Sequence, residues 1–138
     1  GRLEADVDSI TTYDLDAANF IVREDISQAK SPQWQYYVGA DLTLTPRLNA
    51  RLELEGQDVS RFGYHHDQNL GGYDLLNASL SYRTGRTELQ LWGRNLTDKD
   101  YAVHGLYFGN DPRKGWINET YYQYGEPRVV GVTVIYSF

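Results

Sequence analysis

From Val130 to Phe138 the chain alternates with period two. Val130, Val132, Val134, Tyr136 and Phe138 are apolar or aromatic, with Gly131, Thr133, Ile135 and Ser137, mostly small or polar, between them. Successive side chains of a strand point to opposite faces, so this pattern makes a β-strand with one continuous apolar face. The strand runs to an aromatic last residue, where soluble chain ends ordinarily fray into water. An aromatic end fits a strand whose outer face meets lipid, because such rings settle at the membrane–water boundary. The alternative is an ordinary half-buried closing strand of a soluble β-protein.

The same period recurs upstream and predicts an all-β fold: an antiparallel meander of about six long strands. Gly1–Thr12 sets Leu3, Ala5 and Val7 against Arg2, Glu4, Asp6 and Asp8. Trp34–Thr45 sets Trp34, Tyr36, Val38, Ala40, Leu42 and Leu44 against a mostly polar row. Arg47–Glu55, Tyr73–Arg83, Thr87–Leu96 and Arg128–Phe138 complete the series. Helix competes poorly, since apolar residues do not recur at i, i+3 and i+4. The segments approach the ~9–11 residues of a tilted membrane crossing, whereas globular strands average about 5–6. Val38, Ala40, Leu42, Leu52, Leu80, Leu89, Val132 and Val134 are expected to face lipid.

Connections alternate in length. Thr45-Pro46-Arg47 and Thr84-Gly85-Arg86 are tight and made of turn-forming residues, while Tyr13–Gln33, Gly56–Gly72 and Thr97–Pro127 are long. All short turns then fall at one end of the sheet and all long loops at the other, the polarity of outer-membrane barrels. Composition agrees without deciding. Hydrophobic residues make up 41%, too few for a helical membrane protein, yet a barrel strand exposes only alternate residues to lipid. A net charge of −6 argues against nucleic acid as a partner. No cysteine is present, so neither a disulfide framework nor a thiolate metal site can form. Arg51, Glu53, Glu55, Glu88 and Arg94 on the polar face suit a hydrated lumen better than the core of a soluble sandwich.

Three stretches, in order, resemble the C-terminal end of the β-barrel of TonB-dependent outer-membrane receptors. They are Leu76–Arg83 leading to Leu91-Trp-Gly-Arg-Asn-Leu-Thr-Asp-Lys-Asp-Tyr101, Tyr124-Gly-Glu-Pro-Arg-Val-Val-Gly-Val132 running into the terminus, and Ser31-Pro-Gln-Trp34. Tyr136 and Phe138 resemble the C-terminal assembly signal of such barrels. The resemblance implies energy-coupled uptake of a scarce nutrient: a ferric siderophore, cobalamin or an oligosaccharide. The partners it implies are outer-membrane lipid, the remainder of barrel and plug, the TonB complex through an N-terminal part, and the barrel-assembly machinery. Receptors of this kind look like barrels of about 22 strands, and six strands cannot close one. Residues 1–138 are therefore expected to be a fragment of the barrel without its plug. Two alternatives are a soluble β-sheet carbohydrate-binding module and a passive porin-like barrel subunit.

No catalytic motif stands out, so an enzyme is not expected, and no cofactor is implied. Candidate ligand-binding residues lie in the long connections: Tyr64, His65 and His66 in one, and Tyr101, His104, Tyr107, Phe108, Trp116, Tyr121 and Tyr122 in another. On an outside loop these rings can stack on a ligand. The plainer expectation is that they form an upper girdle and pack the loops against one another. His65 and His66 are the best metal-like pair, but adjacent residues of an extended chain point apart, so no metal site is expected. Asp98 and Asp100 read as a strand exit rather than a calcium site.

Overall fold

A computed structural model describes all residues, 1–138. The fold is all-β: β1 (Asp6–Asp14), β2 (Asn19–Ser27), β3 (Gln35–Thr45), β4 (Leu48–Gln57), β5 (Ser60–Arg61), β6 (Asn69–Leu70), β7 (Tyr73–Thr84), β8 (Thr87–Arg94), β9 (Ala102–Gly109), β10 (Asn118–Tyr124) and β11 (Val129–Tyr136). One turn of 3-10 helix, Pro112–Lys114, interrupts the series. The chain divides into two compact units. One comprises Tyr36–Gly56, Tyr73–Asp100 and Glu126–Phe138; the other comprises Gly1–Gln35, Gln57–Gly72 and Tyr101–Gly125.

The first unit is a five-stranded antiparallel sheet in the order β3-β4-β7-β8-β11. It corrects the expected six-strand meander. Five of the six expected strands are present in meander order, but Gly1–Thr12 is not the sixth. Its strand, β1, pairs instead with β2 in a separate hairpin, with Asp14 opposite Asn19 and Asp6 opposite Ser27. The reason lies in Phe20-Ile-Val-Arg23, where an aromatic and two β-branched residues supply β1 with a nearby strand-forming partner across a short turn. Local pairing of this kind closes a much smaller loop than pairing across the whole connection. Eleven strands in several sheets result, and no sheet closes into a barrel.

Alternation gives the five-stranded sheet two unlike faces. Leu80 lies opposite Leu91, and Leu91 opposite Val132, in one cross-strand row; Tyr82, Leu89 and Val134 form the next. These side chains stand open: Leu91 is 55% exposed, Val132 61% and Val134 63%. Nothing within the unit covers that face. Rings mark its ends, with Tyr36 bonding Asp74 at one and Tyr82, Tyr136 and Phe138 at the other.

The opposite face carries charge. Arg51 bonds Asp41 (3.2 Å) and Glu53 (2.9 Å) and donates to the Tyr37 hydroxyl (3.1 Å), which itself donates to Glu53. Asn77 donates to Glu55, Arg83 pairs with Glu88 (2.6 Å), and Trp92 Nε1 donates to Thr133 Oγ1 (3.1 Å). Solvent-exposed pairs of this sort contribute at most about 1 kcal/mol each. They keep one face polar without forming a core.

The phrase Asn95-Leu-Thr-Asp-Lys99 clamps the exit of β8 to the entry of β11. Asn95 is 2% exposed. Its side chain donates to the carbonyls of Lys99 (2.9 Å) and Glu126 (3.1 Å) and accepts from the Lys99 amide (2.9 Å). Asn77 Oδ1 accepts the Asn95 amide, and Asp98 takes both the amide and the guanidinium of Arg128. Asparagine tolerates the left-handed φ of 46° required there, which explains the residue type.

Candidate functional site in the hairpin cluster

The second unit gathers three hairpins: β1–β2, β5–β6 and β9–β10. All three grow within segments that connect strands of the sheet or precede it. The turn after β1 is set by Asp14, whose carboxylate accepts the amides of Asp16 (3.0 Å) and Ala17 (2.8 Å). These two amides, that of Ala17 foremost, hold the Asp14 carboxyl below the usual carboxylate range, and Arg23 adds to the effect. Arg23 bonds Asp14 (2.6 Å) and Asp67 (2.6 Å), and Arg61 reaches Asp67 as well (3.2 Å). Asp67 is also held low, chiefly by its bond to Arg23. An ion-pair chain thus ties β1–β2 to β5–β6. Arg23 and Asp14 are nearly buried, and removing Arg23 would leave the Asp14 carboxylate without its cation.

His66 joins the third hairpin. It is 5% exposed and lies between Phe62 (ring centroids 4.6 Å apart) and Tyr107 of β9 (5.0 Å). Phe62 meets Tyr122 of β10 edge-on and rests over Gly105, where an added Cβ would stand 2.8 Å from its ring. That close approach is why β9 carries glycine there. The Tyr107 hydroxyl donates to Asp16 (2.5 Å), and Asn118 donates to the Leu15 carbonyl (3.1 Å). The Asp16 carboxylate holds the Tyr107 phenol above its usual range. The cluster is a small aromatic core ringed by ion pairs.

The two adjacent histidines carry their protons on different atoms. His65 Nδ1 faces the Tyr13 carbonyl (3.0 Å) and Thr12 Oγ1 (2.7 Å). A carbonyl only accepts, so Nδ1 of His65 holds the hydrogen. His66 Nδ1 receives the Gln68 amide (3.1 Å); an amide only donates, so this Nδ1 is bare. The side chains serve separate partners, and nowhere do three or more His, Asp or Glu residues gather as a metal site would need.

Of the sequence-selected residues, His66, Tyr107 and Tyr122 meet around Phe62. Tyr64 accepts the Ala29 amide (2.9 Å), and Tyr101 packs over Gly125. Phe108 and Tyr121 pack against each other at a tilt (5.2 Å) on the opposite face of β9–β10, the face that also carries His104. Trp116 stands apart at the hairpin tip, 61% exposed, with a left-handed φ of 61°. Tyr136 ends β11, and Phe138 beyond it makes an edge-on pair with it. Sequence reasoning missed Phe62, Asp14, Arg23, Arg61 and Asp67. Reading Asp14–Asn19 as a turn between two strand-forming runs would have exposed the first hairpin and placed Arg23 on the face that carries Asp14.

Exposed rings with nearby polar groups can stack on and bond a ligand. Comparison with models of protein families, with curated proteins and with solved structures finds no match to this chain.

Proposed function

We propose that this chain is the C-terminal part of the β-barrel of a TonB-dependent outer-membrane receptor, serving energy-coupled uptake of a ferric siderophore, cobalamin or an oligosaccharide. The observation that carries the reading is the five-stranded sheet with one bare apolar face and one ionic face. Water on both sides would make such an apolar face a large aggregation surface. Lipid on one side and a hydrated lumen on the other suit both faces at once. Two further features support it. Connections bearing hairpins leave from one end of the sheet and two tight turns from the other. Rings on the apolar face stand at the strand ends, where girdles of a membrane barrel sit. A carbohydrate module would instead place its aromatic side chains in line across a sheet face.

On this reading the hairpin cluster is extracellular, and Trp116, Phe108, Tyr121 and His104 are the residues available to ligand. The lipid-facing residues include Val38, Ala40, Leu42, Leu52, Leu80, Leu89, Val132 and Val134. The test is genetic. Deleting the gene is expected to abolish growth on one scarce nutrient of the three classes, and complementation should work only where TonB is functional. Complementation that proceeds equally without TonB would overturn the receptor reading in favour of a passive pore.

A further inference from the structure

We propose that His66 is a pH-sensitive latch, closing the turn of residues 63–68 near neutral pH and releasing it in acid. The inference stands on the hairpin cluster alone and does not depend on the receptor reading. It begins with the bare Nδ1. Adding a proton there sets an N–H against the Gln68 N–H across 3.1 Å, so the bond that shapes the turn becomes a repulsion.

The surroundings offer the new cation little. Arg61 of β5 donates from Nη1 to the carbonyl of His66 itself (2.9 Å). Arg23 of β2 and His65 of the same turn are further positive or potentially positive neighbours. Asp67 is already bonded by Arg23 and Arg61. Asp16, from the β1–β2 turn, is the one carboxylate that favours the imidazolium, and it is bound by the Tyr107 hydroxyl. From β9 the ring meets Tyr107, and just after β5 it meets Phe62. Burial first, then Arg61 and His65, hold the His66 pKa below its ordinary value. The neutral latch is therefore at full strength above the ordinary histidine pKa, and weakens as pH falls from there through the depressed folded-state pKa.

The test is amide hydrogen exchange of the full chain in detergent micelles, corrected for intrinsic rates, between pH 7.5 and 4.5. The Gln68 amide should lose at least tenfold in protection on acidification, while Ile21 and Val22 in β2 keep theirs. In His66→Asn, whose Oδ1 can still accept the Gln68 amide but cannot titrate, that acid loss should vanish. Equal loss in the variant, or protection of Gln68 unchanged at pH 4.5, would overturn the proposal. Should the variant not fold, nitrogen-15 spectra of the wild-type histidines decide. A bare Nδ1 on His66 at pH 7.5, titrating in step with Gln68 exchange, supports the latch. A hydrogen on that Nδ1 at pH 7.5, or titration out of step with Gln68, refutes it.

Discussion

Replacing Leu80 with arginine in the complete barrel should cost about 2–4 kcal/mol of stability in a bilayer, and replacing its neighbour Ser81 close to nothing. The contrast follows from alternation. Leu80 shares the apolar row with Leu91 and Val132, whereas Ser81 shares the polar face with Gln90 and Thr133. Depth sets the magnitude. Leu80 lies four residues from Thr84, where β7 turns into β8, or about 14 Å along an antiparallel strand. With the ~40° tilt of barrel strands that is roughly 10 Å of depth, close to the middle of an apolar band about 25 Å tall. Arginine is most costly there. The range corresponds to about a 30- to 900-fold fall in the folded-to-unfolded ratio. Reversible urea unfolding in thin phosphatidylcholine vesicles reads this difference directly. Equal losses in Leu80→Arg and Ser81→Arg, or a larger loss in the second, would refute the assignment of faces.

Three other outcomes are expected. Asn95→Ala removes an acceptor and two donated bonds from a buried clamp and should destabilise the barrel by roughly 1–3 kcal/mol, seen as a lower urea midpoint at unchanged slope. Deleting Phe138, which is fully exposed and pairs edge-on with Tyr136, should reduce the heat-modifiable folded form recovered from the outer membrane. Residues 1–138 alone should require detergent, because five strands present an uncovered apolar face and two open edges; a monodisperse monomer in plain buffer would contradict this.

Much of the sheet was legible because its signal is strong and local. β3, β4, β7, β8 and β11 each alternate over eight or more residues, and the tight turns carry Pro46 and Gly85. Period two identifies a strand and its faces but says nothing of its partner, and there Gly1–Thr12 went astray. Leu3, Ala5 and Val7 mark an extended segment equally well in a long ladder or in a hairpin. The hairpins inside the connections were hidden for other reasons. β5 and β6 are two residues long and leave no periodic trace. In β10, Tyr121 and Tyr122 sit side by side, so both faces are aromatic and alternation disappears. The site residues found from sequence were the conspicuous rings. Those missed, Arg23 and Asp67 above all, act through pairing across about forty residues of sequence, which composition does not reveal.

The central claim is that one face of the β3-β4-β7-β8-β11 sheet meets lipid and the other meets water. The absence of cysteine allows single cysteines to be placed along β7, β8 and β11 of the complete barrel, subject to the parent chain's own thiols. Each would be labelled with an environment-sensitive fluorophore in bilayers containing brominated lipid. Labels at Leu80, Leu91 and Val132 should emit in the blue and be quenched by the lipid. Labels at Ser81, Gln90 and Thr133 should emit in the red and be quenched by iodide from water instead. Identical behaviour of the two sets, or lipid quenching confined to the second, would contradict the account.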